Sequence, residues 1–245
     1  MMVERFHFDA SSQIIEIASN DGYLLQYYKQ AGIPVLGIEP ASNIARIAES
    51  ERGIPTLVEF FGASLAERLS SEGRRADEIH AHNVLAHVAD LNGFLHGLRL
   101  LLKDEGVAVI EVPYVKDMID RVEFDTVYHE HLCYFSLTTL DRLFRRHGLE
   151  IQKVSHLPIH GGTLRIFASR AGATHLAVAM NGYSPGVAQM IEAEHAWGVD
   201  DAEFYRGFAE RVESLRLELL TLLRDLKIEN KRIAVYGASA KGSTL

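Results

Sequence analysis

The sequence predicts an α/β protein built on a mostly parallel sheet. Over residues 1–115, short apolar runs rich in β-branched residues alternate with segments of helical periodicity. The links between them are short, and strand–helix–strand alternation of this kind produces right-handed βαβ units. The 245 residues are 47% hydrophobic and 24% charged, which is ordinary globular usage and excludes a disordered, collagen-like or coiled-coil chain.

The first half of the chain accounts for four strands and four helices. The predicted strands are 13–18, 34–39, 76–82 and 106–112. The predicted helices are 23–30, 43–50, 63–71 and 91–102. In the last helix, apolar residues recur at steps of three and four from Leu91 to Leu102, as in an amphipathic helix.

The next segment predicts an antiparallel pair. A helix is expected at 137–147, with Ser136 as its N-cap. Two strand-like runs follow at 150–156 and 163–169, and a segment containing proline and glycine separates them.

The character of the chain changes after Arg170. A glycine-containing link at 171–173 and turn residues at 181–186 precede a long helix, whose apolar stripe from Phe204 to Leu226 is interpreted as a packing face. A strand is predicted at 232–236, running into a glycine-rich turn. We therefore predict one domain over 1–170, and a helical linker plus the start of a second α/β domain over 171–245.

Charge and composition exclude several classes. With 25 Lys+Arg against 33 Asp+Glu, the net charge of −8 argues against general nucleic-acid binding. No apolar stretch approaches the roughly 20 residues of a membrane span, and the N-terminus lacks the apolar core of a signal peptide. The single cysteine, Cys133, excludes an internal disulfide. A cytoplasmic protein is expected.

The loop after the first strand predicts a ligand site. Its residues from Ala18 to Gly22 are small or polar, and ligands of doubly wound sheets lie at the carboxyl ends of the strands. Gly22 can adopt a positive φ. Glu39 ends the second strand, where an acid can accept hydrogen bonds from ribose hydroxyls. The order of these features favours a nucleoside ligand over a simple turn with a solvated glutamate.

The same loop distinguishes between nucleoside ligands. A dinucleotide site requires G-x-G-x-x-G so that a pyrophosphate can rest on the helix N-terminus. Here Asp21 stands where a phosphate would lie, and an anionic loop suits a cation better. S-adenosylmethionine carries a sulfonium, an ammonium and no phosphate, so the loop favours a methyltransferase over a dehydrogenase.

Several motifs occur in one order along the chain. They are Glu16-Ile-Ala-Ser-Asn-Asp-Gly22, Gly37-Ile-Glu39-Pro-Ala, Asn83-Val-Leu-Ala-His87-Val, Glu111-Val-Pro-Tyr114, Tyr128-His-Glu-His131, His160-Gly-Gly-Thr-Leu-Arg165 and Tyr236-Gly-Ala-Ser-Ala-Lys-Gly242. From about residue 11 to its end, the chain resembles the S-adenosylmethionine-dependent sugar C-methyltransferases that act on nucleotide-linked 4-keto-deoxysugars.

The resemblance implies a fold, a reaction and a cofactor site. The fold is the Rossmann-like class I methyltransferase fold, a seven-stranded, mostly parallel sheet with an antiparallel edge pair. The reaction is methyl transfer from S-adenosylmethionine to a carbon α to a keto group. The implied cofactor-binding residues are Glu16, Ala18, Ser19, Asn20, Gly22, Tyr23, Leu24, Glu39, Pro40, Asn83, Val84 and His87.

The chain departs from that family at both ends and at one position in the loop. Family members usually begin with a zinc-binding module carrying four cysteines and continue past the Ala-Lys-Gly segment. This chain is expected to lack the module and to be truncated at the C-terminus. Ala18 stands where the family commonly has glycine.

The Tyr128–His131 segment holds the candidate catalytic groups. Methylation next to a ketone requires a base for the α-proton, and the ordinary pKa of histidine suits that role. From the residues alone, His129 and His131 are not distinguishable. The resemblance implies His131 as the base, with Glu130 and Tyr128 assisting. Two alternatives to a catalytic role are that these side chains make only local hydrogen bonds, or that the two histidines bind a metal together with His80 and His82. The first is preferred to the second, so no metal is predicted.

The remaining motifs predict substrate contacts. The resemblance implies that His160, Gly161, Gly162, Arg165 and Lys241 bind a nucleotide-sugar, and Arg165 is suited to pairing with a phosphate or sugar oxygen. The alternative for residues 160–165 is a hairpin turn with an exposed arginine. The alternative for the segment that contains Lys241 is a simple βα turn. An oxygen or nitrogen acceptor, or a non-catalytic cofactor-binding fragment, stays open as an alternative function. The sequence indicates neither the sugar nor the oligomeric state.

Overall fold

The computed structural model describes residues 2–173 and 186–235, and a seven-stranded sheet forms their centre. Its strand order is β3-β2-β1-β4-β5-β7-β6. The strands from β3 to β5 run parallel, whereas β7 is antiparallel to both β5 and β6. The predicted parallel sheet with an antiparallel edge pair is confirmed.

The bounds of the elements are as follows. The strands are β1 Ile14–Ile17, β2 Val35–Ile38, β3 Thr56–Leu57, β4 Ala76–His82, β5 Leu102–Pro113, β6 Leu149–Leu157 and β7 Thr163–Arg170. The helices are α1 Met2–Phe6, α2 Leu25–Gln30, α3 Ser42–Arg52, α4 Ala63–Ser71, α5 Leu91–Leu101, α6 Val115–Asp120, α7 Leu137–Arg146, α8 Val187–Trp197 and α9 Ala202–Ile228. Two 3₁₀ turns lie at Leu85–His87 and Phe124–Thr126.

The sequence did not reveal β3, α1, α6 or α8. The strand β3 has two residues and exists only through its hydrogen bonds to β2, so it has no periodicity to detect. Ser136 caps α7 as predicted: its side chain accepts the Thr139 N–H, and the Thr139 hydroxyl reaches back to the Ser136 N–H.

Apolar layers cover both faces of the sheet, as a parallel sheet requires. On one face, Ile79 and Ile110 pack in a cluster with Leu98 of α5 and Leu140 of α7, and all four are at most 1% exposed. The other face carries two smaller clusters, around Phe6 of α1 and Tyr28 of α2. Each such aliphatic side chain contributes about 1.5–3 kcal/mol by leaving water.

The helix α8 joins the first of these layers. Val187, Met190 and Ile191 pack on the larger cluster. Glu194 is 1% exposed, and its carboxylate accepts the N–H groups of Leu137 and Thr138 at 2.6 and 2.7 Å. It therefore satisfies two backbone donors at the N-terminus of α7.

The segment after α8 differs from two expectations. No residue of α9 is buried within the described part of the chain. Phe204, at the start of the stripe, packs on Trp197 with ring centroids 4.4 Å apart, but Leu219 and Leu222 are 40% and 55% exposed, so the later part of the stripe is not a packed face there. The strand predicted at 232–236 does not form over 232–235, and Val235 is 90% exposed. No described strand lies beside it to supply ladder hydrogen bonds. The predicted turn at 181–185 and Lys241 lie outside the described residues.

No helix in the two described ranges combines the length and apolar character needed to cross a membrane.

Candidate active site

A cavity of about 600 Å³ opens at the carboxyl ends of the parallel strands. Six of the residues predicted to bind the cofactor line it: Ala18, Asn20, Pro40, Asn83, Val84 and His87. Its size and its largely apolar wall are typical of a small-molecule site. This is the position where doubly wound sheets bind their ligands.

The backbone at the cavity is constrained. Ala18, Asn20 and Asn83 have φ values of 53°, 50° and 56°, in the left-handed region that residues other than glycine rarely adopt. Gly22 has φ of 77°, and a Cβ there would lie 2.8 Å from Ile54 Cγ1. Such backbone is found where the surrounding structure fixes a functional loop.

Three buried polar atoms in this region have no hydrogen-bond partner among the described residues. They are Glu16 Oε2 and Ser19 Oγ at the end of β1, and Asn83 Oδ1 at the end of β4. Burial raises the pKa of Glu16 to about 8, and nearby Asp21 adds to this while His80 opposes it. Because unpaired buried polar atoms are costly, their concentration here indicates groups placed for a ligand.

Glu39 is held by the backbone at the end of β2. Its two carboxylate oxygens accept the N–H groups of Asn20 and Ala41 at 3.1 and 2.9 Å. The side chain is 7% exposed. Glu39 does not itself line the cavity, although Ile38 and Pro40 on either side of it do.

The two remaining predicted cofactor residues lie at the start of α2. Tyr23 is 48% exposed, and burial together with the charge of Glu16 raises its pKa. Leu24 packs on the apolar cluster around Tyr28.

The predicted catalytic segment is a turn, not a strand, and the turn separates its two histidines. His129 is 83% exposed, and Glu130 is 53% exposed. His131 is half-buried, and its Nδ1 lies 3.0 Å from the carbonyl oxygen of Thr126. A carbonyl only accepts, so Nδ1 donates and the neutral ring carries its lone pair on Nε2. The Tyr128 hydroxyl is 3.5 Å from that Nε2.

This turn is tied to the wall of the cavity. His87 Nδ1 donates to the Glu130 carbonyl at 2.9 Å, and the Leu132 N–H donates to the Ala86 carbonyl at 2.8 Å. The rings of His87 and His131 meet edge to face with centroids 5.0 Å apart. His131 therefore lies one side chain away from the cavity wall.

The predicted substrate residues form the loop between β6 and β7 and the start of β7. His160, Gly161 and Gly162 have φ of 52°, 81° and 125°. The Gly162 N–H donates to the Ile159 carbonyl at 2.9 Å, and the Asp117 carboxylate occupies the space where a Gly162 side chain would lie.

Arg165 is paired within the fold. Its Nε donates to Glu111 Oε1 at 2.5 Å, and its side chain is 39% exposed. The described residues lining the cavity include none of 160–165.

Sequence reasoning missed part of the cavity wall. Phe60, Phe61 and His82 line it. Phe60 is 84% exposed, while Phe61 packs edge to face on Phe94 with centroids 5.1 Å apart. The available signal was the aromatic pair itself, which begins three residues after β3, a strand too short to be detected. In the described ranges, no group of three or more His, Cys, Asp or Glu residues is arranged to hold a metal.

Two family models match the chain. Residues 2–154 match a methyltransferase domain, and residues 158–245 match a C-methyltransferase C-terminal domain.

Curated relatives agree with these matches. The chain is 35% identical over 245 residues to the C-methyltransferase NovU of Streptomyces niveus, and it spans 57% of that protein's length. It is also 28% identical to a ubiquinone biosynthesis O-methyltransferase of Bartonella tribocorum over 98 residues, and these residues make up 40% of each of the two chains.

Solved structures show the same fold. The YcgJ protein of Bacillus subtilis superposes with a TM-score of 0.54 at 13% identity, covering 70% of this chain and 97% of that one. A TehB-like S-adenosylmethionine-dependent methyltransferase from Corynebacterium glutamicum gives 0.51 at 15% identity, covering 69% and 85%. The domain match over residues 2–154, the strand order and the cavity at the ends of β1 and β4 agree: this chain belongs to the S-adenosylmethionine-dependent methyltransferases.

Proposed function

We propose that the protein transfers the methyl group of S-adenosylmethionine to a carbon α to the keto group of a nucleotide-linked deoxysugar. The NovU relative is named a C-methyltransferase, which supports a carbon acceptor. The match of residues 158–245 to a C-methyltransferase C-terminal domain supports it independently. The resemblance of the Tyr128–His131 and His160–Arg165 motifs supports the sugar substrate.

The residues around the cavity fit the cofactor. The unpaired Glu16 and Asn83 oxygens and the Glu39 carboxylate are acceptors for its ammonium and hydroxyl groups. Phe60 and Phe61 offer apolar surface for its adenine. When bound there, the cofactor supplies an activated methyl group.

His131 is the base in this proposal, and its hydrogen bond to Thr126 is the observation that carries the assignment. The bond orients the ring and places the lone pair on Nε2. Removing an α-proton leaves an enolate, and the Tyr128 hydroxyl beside Nε2 is a donor for its oxygen. Burial, together with the charge of Glu130, raises the Tyr128 pKa, so the phenol stays protonated at neutral pH.

Solvent deuterium exchange tests the base. A nucleoside-diphosphate-linked 4-keto-6-deoxyhexose is incubated with the chain in deuterated water, and exchange at the α-carbon is followed by NMR. His131→Asn is expected to slow exchange by about a hundredfold or more. His129→Asn is the matched control, because that ring is 83% exposed on the same turn, and it leaves the rate unchanged.

Cofactor binding is measured separately by calorimetry. Glu39→Ala is expected to weaken S-adenosylmethionine binding by about 1–3 kcal/mol through the lost acceptor. Cofactor binding without α-exchange in the wild type would contradict a carbon acceptor and indicate an oxygen or nitrogen acceptor. A cooperative melt that the cofactor does not shift would contradict the site itself.

A further inference from the structure

Five hydrogen-bonded side chains form a chain along β4, on the face of the sheet that α2 covers. Tyr28 of α2 lies 2.8 Å from both Glu78 Oε2 and His80 Nε2. His80 Nδ1 is 3.1 Å from His82 Nε2, and His82 Nδ1 is 2.9 Å from Glu111 Oε2. We call these five residues the relay.

The relay is buried at its Glu78 end and reaches the cavity at His82. Glu78 is fully buried, and Tyr28, His80 and Glu111 are 6%, 4% and 5% exposed. The His82 side chain is 19% exposed and lines the cavity. No step of the proposed reaction uses these groups.

Counting hydrogens along the relay gives its charge. The Tyr28 hydroxyl donates to Glu78, so Tyr28 accepts from His80 Nε2, and the Glu111 carboxylate accepts from His82 Nδ1. The hydrogen bond between His80 Nδ1 and His82 Nε2 needs one further hydrogen, on one of these two nitrogens. Two neutral imidazoles hold one N–H hydrogen each, whereas this arrangement holds three. With both carboxylates ionised, the pair therefore carries one positive charge.

The charges around the pair agree with this count. Burial alone lowers the pKa of His80, but the charge and hydrogen bond of Glu78 raise it above its ordinary value. Burial alone raises the pKa of Glu111, but His82 and Arg165 lower it to about 2. Glu16 of β1 lies opposite His80 in the strand register, and where its own carboxyl group is ionised it raises the pKa of His80 further.

We propose that the relay keeps one positive charge on the His80–His82 pair at the cavity wall, and that this charge sets how the cavity discriminates between the methyl donor and its demethylated product. S-adenosylmethionine has a positive sulfur, whereas S-adenosylhomocysteine is neutral there. A fixed positive charge disfavours the donor relative to the product. It also disfavours the donor relative to a transition state in which the sulfur is losing its charge. This inference rests on the proposed function only in that both ligands occupy this cavity.

The test is the ratio of the two dissociation constants as a function of pH. Calorimetry on the 245-residue chain between about pH 6 and pH 9 covers the range in which a histidine with a raised pKa loses its proton. In the wild type, Kd for S-adenosylmethionine divided by Kd for S-adenosylhomocysteine is expected to fall about tenfold as pH rises. That is roughly the effect of one charge on another about 10 Å away inside a protein.

Glu78→Gln is the diagnostic variant, because Glu78 lies at the buried end of the relay and does not line the cavity. A glutamine amide can donate to Tyr28, which reverses the hydrogen bonds and leaves two neutral rings. The ratio is then expected to be independent of pH and close to the high-pH value of the wild type. His96→Gln, on the exposed face of α5, is the control and keeps the wild-type dependence.

Two further measurements keep the result decisive. Glu16→Gln separates the relay from Glu16, whose pKa of about 8 falls in the same range; a pH dependence lost in Glu16→Gln but kept in Glu78→Gln would overturn the inference. If Glu78→Gln does not fold, assigned nitrogen-15 NMR spectra of the wild-type imidazoles report the charge directly, and two neutral rings near pH 7 would overturn it. A wild-type ratio that is flat with pH overturns this inference alone, whereas absence of binding by either ligand overturns the proposed function with it.

Discussion

Glu194→Ala is expected to be among the most destabilising single substitutions of this chain. The carboxylate lies 1% exposed at the N-terminus of α7 and accepts two backbone N–H groups, from Leu137 and Thr138, at 2.6 and 2.7 Å. Truncation leaves both donors buried without a partner, at about 1–3 kcal/mol each, and removes an anion from the positive end of the helix dipole. The expected loss is about 3 kcal/mol or more in the free energy of unfolding.

The assay is urea denaturation of the chain, followed by circular dichroism. Glu192→Ala is the matched control, because Glu192 lies on the same helix and is exposed. It should change stability by no more than about 0.5 kcal/mol. If the two variants unfold at the same urea concentration, α8 does not cap α7 and the reasoning fails.

Three further predictions concern the sheet and its loops. Gly22→Ala is expected to lower the free energy of unfolding by about 1–3 kcal/mol more than Gly73→Ala does. Both glycines have φ near +75° (77° and 74°), but of the two only Gly22 would place a Cβ against another side chain, 2.8 Å from Ile54 Cγ1. Equal melting shifts for the two variants would remove the steric explanation. Burial raises the pKa of Glu16 from 4.5 to about 8, so the folded state holds this proton more tightly than the unfolded chain does, and wild-type stability is lost as pH rises between these values. The stability of Glu16→Gln relative to wild type should therefore grow from pH 5 to about pH 8 in parallel denaturation series. For Glu111, whose pKa is lowered to about 2 by His82 and Arg165 against the effect of burial, the sign is opposite: its stabilisation is complete above 4.5 and is lost as pH falls toward 2. Glu111→Gln should flatten that part of the acid unfolding curve, and an unchanged acid limb would contradict the ion pairs.

Local pattern was sufficient for the architecture. The β1, β4 and β5 runs and the amphipathic helices α4, α5 and α7 have their own periodicity, and the hairpin from Leu149 to Arg170 has its own turn. These signals come from residues a few positions apart, so they can be found without knowledge of the tertiary contacts. The loop from Ala18 to Gly22 was also predicted from local pattern. Its signal is five consecutive residues that are small or polar, one of them charged and one of them glycine.

Contacts between distant parts of the chain decided the rest. The two residues of β3 form a strand only because β2 lies beside them. The stripe of α9 packs on Trp197 at Phe204, whereas Leu219 and Leu222 further along it are exposed. His129 and His131 are equivalent in a sequence motif, but a turn exposes one and orients the other on Thr126. Glu194 caps a helix that begins 57 residues earlier, and the relay draws on α2, β4 and β5.

The sequence by itself determined most of the strands and helices and which loop lies at the cavity, because alternation, capping and turn chemistry are local properties. The tertiary structure alone decided which histidine of the Tyr128–His131 turn is held by a backbone carbonyl, which carboxylate caps α7, and which side chains surround the His80–His82 pair. Those properties depend on burial and on hydrogen-bond partners that only folding brings together.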